Sequence, residues 1–521
     1  MRNRFLGLLL PGDIHRLADR RPAVGFAGIL PLLLLVIALI LRLHDLGRQS
    51  LWNDEMFTLK LITLPWGEFL DRVMKHTAHP PLFFVMEKIV TMLTGISEAG
   101  LRFLPTLFGA ATVPILYLFL RATWSKEAAL IAGALATLSP YHLAYSQEAR
   151  PYSLAMFFTA LATLLLFRIV RLRRTGAQDS PVNGAASPVE KKSFLALMLV
   201  DLAGLYTHYW YAFVVASHFV AVLLVPSLRS RWRWFLAIWL IDGMFFLPQL
   251  SFAFPHAGKV ASANWWWIEK PSLFNLFRTF LAFTGVYFSQ ASATFTMSIG
   301  VTIVGTAIAG FALLLLFVHA VSFRNELNIT LVSLLLLPPV TGFLISLYRP
   351  EIYVWYRYPS VVLPLFFAAV GVGCSFLRPS ILRWFLVGLL LSTQVMGVFK
   401  YSSWDKANPK YVAAFVTSLD LGKGDVLIRP WYFADLLNYY YRSTVTQLEE
   451  ADGIDKLEPM IRKSKRVVLI TLDIHNDLRD WMTTHYDQLE EKHFPGESHM
   501  GILVDVYRGG VPRDIPNYVH R

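Results

Sequence analysis

The sequence predicts an all-α polytopic membrane domain followed by a small C-terminal α/β domain outside the cytoplasm, and three observations carry that prediction. Of the 521 residues, 55% are hydrophobic and 16% charged, against about 25% charged in an ordinary soluble domain. Residues 1–400 hold 33 basic and 18 acidic side chains, whereas residues 401–521 hold 15 and 18. Twelve apolar runs follow one another through the first part and none of comparable length occurs in the second. A soluble globule is excluded, and the domain boundary is predicted near residue 400, giving domains 1–400 and 401–521. Because the basic excess lies in the hydrophobic part and not on a soluble module, nucleic acid is not an expected partner; loops that orient membrane spans are.

The first run, Val24 to Leu43, follows basic residues from Arg2 to Arg21 and has the roughly 20 residues a bilayer requires, with no small-residue cleavage site after it. It is read as a retained first span. The second run, 81–95, is short, opens on Pro80-Pro81 and carries Glu87 and Lys88 at its centre. Charges there would cost about 2.5–3.5 kcal/mol each inside a bilayer, so an interfacial helix is predicted. Eleven spans remain. With the amino terminus in the cytoplasm, one face then collects 19 basic and 6 acidic residues, which satisfies the positive-inside rule and places the tail on the periplasmic or extracellular side of the inner (plasma) membrane. The lone Cys374 excludes an intramolecular disulfide and a cysteine metal cluster.

This topology brings four polar segments to the outer surface: Trp52-Asn53-Asp54-Glu55, His79-Pro80-Pro81, Ser146-Gln147-Glu148-Ala149-Arg150-Pro151-Tyr152, and Tyr356-Arg357-Tyr358-Pro359. Three share one grammar, a basic or potentially basic residue and then, within two positions, a proline that opens an apolar helix. Proline suits the first helical turn, where its missing N–H is not needed, and the unpaired N–H groups there favour an anion. His79, Arg150 and Arg357, with Tyr358 beside the last, are therefore candidate phosphate-binding residues. Adjacent acids such as Asp54 and Glu55 are most often solvated surface. Their functional reading is a general base with a second carboxylate that orients substrate or holds a divalent cation. Glu148 is a second candidate acid, or an ion-pair partner of Arg150.

Tyr152, His208 in Thr207-His208-Tyr209-Trp210, and Trp266 in Trp265-Trp266-Trp267 are candidate substrate contacts; for His208 a capping or interfacial role is favoured over metal ligation, and for the tryptophans an interfacial aromatic belt is the commoner explanation. Asp201 and Asp242 lie within spans, where interhelical hydrogen bonding competes with function. In the tail, strands are predicted at 425–429, 466–472 and 501–508 and helices near 409–418, 432–441 and 454–464, with a further helix between the last two strands. No Gly-rich phosphate loop occurs there, and the tail is assigned to acceptor recognition or partner docking.

Taken together, Trp-Asn-Asp-Glu after the first span, His79-Pro80-Pro81-Leu82 on a short interfacial helix, Ser-Gln-Glu-Ala-Arg-Pro-Tyr in a later outer loop, and Arg-Tyr-Pro near a late span resemble the glycosyltransferase C superfamily. The likeness is nearest to the protein O-mannosyltransferases and the lipid A aminoarabinose transferases, and covers about the first 170 residues plus the late Arg-Tyr-Pro segment. The resemblance implies a membrane enzyme that moves a sugar from a polyprenyl-phosphate donor to a hydroxyl of a lipid, glycan or protein acceptor. It implies Asp54 as the catalytic aspartate with Glu55 next to it, His79 as the residue opening the interfacial helix, and Arg357 as the donor-phosphate cation. In the aminoarabinose transferases an aspartate directly precedes the proline of the second acidic motif; here Arg150 holds that place and Glu148 lies two positions earlier. Members of the superfamily differ in metal dependence, so a divalent cation (Mg or Mn), with Asp54 and Glu148 as the candidate ligands, stays open. Two readings from other classes stand beside this one, a non-catalytic transporter of lipid-linked substrates and a membrane scaffold whose working part is the tail.

Overall fold

The computed structural model describes residues 28–75, 79–174, 187–262, 271–290, 293–348, 352–404, 409–442, 445–472, 476–494, 501–510 and 512. By packing, the chain forms two units, one comprising residues 1–46, 60–288 and 296–402 and the other residues 47–59, 289–295 and 403–521. Thirteen residues after the first span are thus part of the same unit as the tail.

The first unit is helical. In chain order its principal elements are α1 (Ile29–Leu43), α2 (Asn53–Ile62, whose first turns belong to the other unit), α3 (Trp66–Lys75), α4 (Leu82–Thr94), α5 (Glu98–Thr123), α6 (Lys126–Leu138), α7 (Pro140–Ser146) and α8 (Tyr152–Arg174). They continue with α9 (Pro188–Leu205), α10 (Tyr211–Leu224), α11 (Trp232–Ser262), α12 (Leu273–Phe283), the hairpin β1 (Tyr287–Gln290) and β2 (Ala293–Thr296), of which residues 289–295 belong to the other unit, α13 (Ile299–Phe323), α14 (Glu326–Ser346), α15 (Leu363–Ser375) and α16 (Ser380–Ser403). Among the described residues seven helices are long and apolar enough to cross a membrane: those spanning 98–123, 152–172, 232–252, 299–323, 326–346, 358–375 and 380–403. The protein is a multi-pass membrane protein, with α1, α10 and α12 as shorter apolar helices.

Helix α4 is 13 residues long, about 20 Å, which is short of the roughly 30 Å hydrocarbon core. Its Lys88 side chain is buried and donates to the carbonyls of Ile62 and Leu64, just beyond the end of α2, while lying 5.0 Å from the ring centroids of Trp66 and Phe69. The ammonium thus satisfies carbonyls left open where α2 stops. Helix α12 occupies a stretch read from the sequence as loop. It is capped by Ser272, whose side chain accepts from Asn275 N–H, and it buries Asn275, Thr279, Ala282 and Phe283 while exposing Leu273, Phe274 and Phe277.

One span is broken on purpose by its sequence. Helix α6 stops at Leu138 because Ser139 precedes a proline and takes an extended backbone (φ −63°, ψ 118°), and the Ser139 hydroxyl then caps α7 by accepting from His142 N–H. The carbonyls left over at the end of α6 are taken by Arg42 of α1, which donates to Ala136 O at 2.9 Å and Thr137 O at 3.3 Å. Arg42 also donates from Nε to Ser146 Oγ at 3.2 Å, and Gln147 Nε2 donates back to Arg42 O and His44 O, both at 2.9 Å. These bonds fix where α7 ends and the loop 147–151 begins. Close approach of α15 to its neighbours depends on glycine: a Cβ at Gly373 would lie 2.0 Å from Ala312 O, and one at Gly371 would lie 2.6 Å from Ala128 O.

The tail is built from α17 (Pro409–Ser418), β3 (Val426–Arg429), α18 (Ala434–Tyr440), β4 (Thr446–Glu449), α19 (Ile454–Lys463), β5 (Arg466–Leu472), α20 (Asp477–His485), β6 (Gln488–Phe494) and β7 (Ile502–Arg508). Its five strands are ordered β4-β3-β5-β7-β6. Strand β3 pairs in parallel with β4 and β5, whereas β7 runs antiparallel to β5 and β6. One sheet face packs on α19 and α20 through Val426, Ile428, Leu457, Ile461, Val467, Leu469 and Met482. The fold class is as expected, helical in the membrane with an α/β tail. The two strands the sequence reading omitted, β4 and β6, are the edges.

Candidate active site

Four chain segments converge in the helical unit. The loop 147–151 leaves α7 at a point set by Arg42 and opens α8 at Pro151, whose carbonyl accepts from Ala155 N–H. In that loop Arg150 N–H donates to Glu148 O at 2.7 Å, and both side chains are buried. The segment 352–358 is held from several sides. Trp210 Nε1 donates to Ile352 O (2.9 Å), Thr279 Oγ1 donates to Trp355 O (3.0 Å), and the hydroxyls of Tyr141 and Tyr145 both donate to Tyr356 O, at 2.7 and 2.6 Å. Arg357 lies with its guanidinium 5.6 Å from the Tyr356 ring and is buried. The third segment opens α4 at His79, where Leu82 N–H donates to Tyr206 O of the fourth, the turn 206–210 between α9 and α10.

At the meeting point His79 and His208 lie with ring centroids 4.6 Å apart. Tyr152 is 5.9 Å from His79 and 5.7 Å from His208, and Tyr358 is 6.4 and 5.7 Å from the same two rings. Arg150 and Arg357 both act on His79: burial first, then Arg150, His208 and Arg357, hold its imidazole well below the ordinary histidine range. Burial and Arg150 push His208 down to about 3. Glu148 and Arg357 both lie close enough to the Tyr145 phenol to act on it electrostatically. The site is therefore two arginines, two neutral histidines and one buried carboxylate, framed by tyrosines. At neutral pH the two histidines contribute hydrogen bonds and no charge.

The tautomer of His208 follows from its partner. Trp210 N–H donates to Nδ1 at 3.1 Å, so Nδ1 is the unprotonated nitrogen and Nε2 carries the hydrogen. That Nε2–H is buried with no hydrogen-bond partner among the described residues. A buried donor without an acceptor costs about 1–3 kcal/mol, and an anion placed beside Arg150 would relieve it.

The histidines also set a pH dependence. His208 titrates at about 3 in the fold and near 6.5 unfolded, so its protonation favours the unfolded chain. Stability is fully present above about pH 6.5 and is lost as the pH falls from there toward 3, by about 2 kcal/mol at pH 5 for this one residue. Thermal unfolding in detergent should show a midpoint that drops between pH 7 and 5, and the drop should be smaller in His208→Asn; equal slopes would contradict the assignment.

The structure brings together seven sequence-derived candidates, His79, Glu148, Arg150, Tyr152, His208, Arg357 and Tyr358. Asp54 and Glu55 stand in the first turn of α2, Asp54 half-buried and Glu55 buried, and belong by packing to the unit that contains the tail. Trp266 lies outside the described residues. Asp201 and Asp242 form a separate cluster. Tyr211 donates to Asp201 Oδ1 at 3.1 Å and His218 Nδ1 lies 3.4 Å from Asp201 Oδ2, with all four side chains buried. Among the described residues no group of three or more His, Cys, Asp or Glu side chains is placed to hold a metal ion.

Residues 78–252, which include His79, Glu148, Arg150, Tyr152 and His208, match the family described as dolichyl-phosphate-mannose-protein mannosyltransferase. The fold is similar to that of ArnT from Cupriavidus metallidurans bound to undecaprenyl phosphate, with a TM-score of 0.56, covering 92% of this chain and 98% of that one at 12% identity. The chain thus has the fold of ArnT, and about a third of it matches the mannosyltransferase family model. A second solved structure of similar fold, the oligosaccharyltransferase AglB from Archaeoglobus fulgidus in complex with an inhibitory peptide and a dolichol-phosphate, gives a TM-score of 0.53, covering 94% of this chain and 75% of that one at 12% identity. In sequence, 143 residues are 31% identical to an uncharacterised protein of Aquifex aeolicus; the match spans 26% of this chain and 29% of that protein. The likeness is thus one of fold along most of the chain and of sequence over residues 78–252.

Proposed function

We propose that this protein transfers a sugar from a polyprenyl-phosphate donor to an acceptor hydroxyl at the outer face of the membrane, by one inverting displacement. The observation that carries the reading is the anion site just described: two buried arginines and a buried, partnerless Nε2–H of His208 at the ends of apolar helices. The leaving group of such a donor is a phosphate, already acidic, so its departure needs cations and N–H donors more than a proton. Arg150 and Arg357 supply the charge, and His79 and His208, neutral, supply hydrogen bonds. The acceptor hydroxyl has a high pKa and needs a base; by resemblance that is Asp54, with Glu55 beside it. The two named structural neighbours hold undecaprenyl phosphate and dolichol-phosphate, the leaving groups this chemistry would release. The amino terminus in the cytoplasm and the tail outside follow from the basic residues of the loops.

The test is incubation of the purified protein with a panel of polyprenyl-phosphate sugars and acceptor-bearing membranes, with and without Mg²⁺ or Mn²⁺. Release of polyprenyl phosphate with at least one donor is expected. Failure to release it from any donor, together with no thermal stabilisation by polyprenyl phosphate itself, would overturn the reading; the metal arm decides whether a divalent cation takes part.

A further inference from the structure

The segment that carries Asp54 and Glu55 is tied to the tail at three successive points. Arg48 Nη2 and Gln49 Nε2 both donate to the carbonyl of Trp404, at 3.1 and 2.9 Å. Trp404 directly follows α16, is fully buried and sits edge-on to Phe295 at 5.9 Å. Leu51 N–H, also fully buried, donates to the hydroxyl of Tyr440 at 2.8 Å. Tyr440 is the last residue of α18. Immediately afterwards Trp52 O accepts from Met56 N–H, the first hydrogen bond of α2, so only two residues separate the Tyr440 bond from Asp54.

The geometry points to a role for the tail beyond docking a partner: we propose that it positions the carboxylate pair, with Tyr440 as a positioning residue for sugar transfer. A helix start is placed by the residues just before its first turn, since the chain there has few free dihedrals left. Leu51 and Gln49 are those residues, and their partners are a tyrosine hydroxyl and a backbone carbonyl of the tail. Removing the hydroxyl strands a buried N–H, and the backbone must shift to find water or another acceptor. That shift moves Asp54 relative to the hydroxyl it deprotonates, and an error of about 1 Å in such a contact can cost a hundredfold in rate. The donor phosphate is held by other residues, so its binding is untouched.

This inference rests on the reading of Asp54 as the base, and the experiment separates the two. Wild type, Tyr440→Phe, Asp54→Asn and the double variant are compared for kcat, donor KM and thermal midpoint. Tyr440→Phe is expected to lower kcat by ten- to a hundredfold with donor KM within about twofold, and to add nothing in the Asp54→Asn background, the signature of two residues acting through one step. An unchanged kcat in Tyr440→Phe alongside an inactive Asp54→Asn overturns the positioning role. Full activity in Asp54→Asn overturns the base assignment instead. Should Tyr440→Phe fail to fold, Gln49→Leu, which cuts the bond to Trp404, is measured in the same way and is expected to show the same split between kcat and KM; a KM effect alone would also overturn the proposal.

Discussion

Asp54→Asn is expected to lower sugar transfer by about 10²–10⁴-fold while leaving the binding of polyprenyl phosphate unchanged. The amide keeps the size and most of the hydrogen-bonding capacity of the carboxylate but cannot take the acceptor's proton, and a general base is worth that range. Single-turnover transfer and equilibrium binding of polyprenyl phosphate, followed by the shift of the thermal midpoint, measure the two quantities separately. Glu55→Gln provides the contrast. The two carboxylates adjoin in sequence, yet Glu55 is fully buried and Asp54 only half-buried, so access to an acceptor favours Asp54. A larger loss in the Glu55 variant than in the Asp54 variant would reassign the base to its neighbour.

The second large effect is expected from Arg357→Gln, which should reduce turnover by about 10²–10³-fold, the cost of removing one donor from a developing oxyanion, and should weaken binding of polyprenyl phosphate as well. Arg357→Lys keeps the charge but loses the planar fork that can grip two phosphate oxygens, and should fall between wild type and glutamine. Because the backbone here is fixed through Tyr356 O by both Tyr141 and Tyr145, the variant side chain has no freedom to be replaced from the main chain. Retained turnover in Arg357→Gln would move the phosphate away from this segment and leave Arg150 as its cation.

Much of the site was legible because topology alone sorts residues by face. Once the basic loops oriented the spans, His79, Arg150 and Arg357 had to lie on the same side, and their prolines marked helix starts. The fold class followed from composition for the same reason, since a bilayer constrains every span alike. What escaped was set by contacts between residues far apart in sequence. His208 was named as a candidate substrate contact, but nothing in Thr-His-Tyr-Trp reveals that the turn meets His79. The pairing of Asp201 with His218 joins neighbouring helices and has no local signature. The tail strands found from sequence are the buried ones. Strands β4 and β6 were missed because edges expose their side chains: Glu490, Glu491 and Lys492 give β6 the look of a loop, although charge is what keeps an edge strand from pairing with another molecule. Likewise the link from Leu51 to Tyr440 crosses 389 positions.

Arg42 has a consequence for how the protein is made. Its guanidinium is consumed by carbonyls at positions 136 and 137, which are synthesised 94 and 95 residues later. When α1 first enters the bilayer those acceptors do not exist, and a lone cation deep in hydrocarbon is expensive. Arg42 stands one residue from the end of α1, where its long side chain can reach the headgroups. It waits there, and withdraws into the protein only when α6 and α7 arrive. Insertion of the first span and burial of Arg42 are therefore separate events in biogenesis, and the second cannot be completed before residues 136 and 137 have been made.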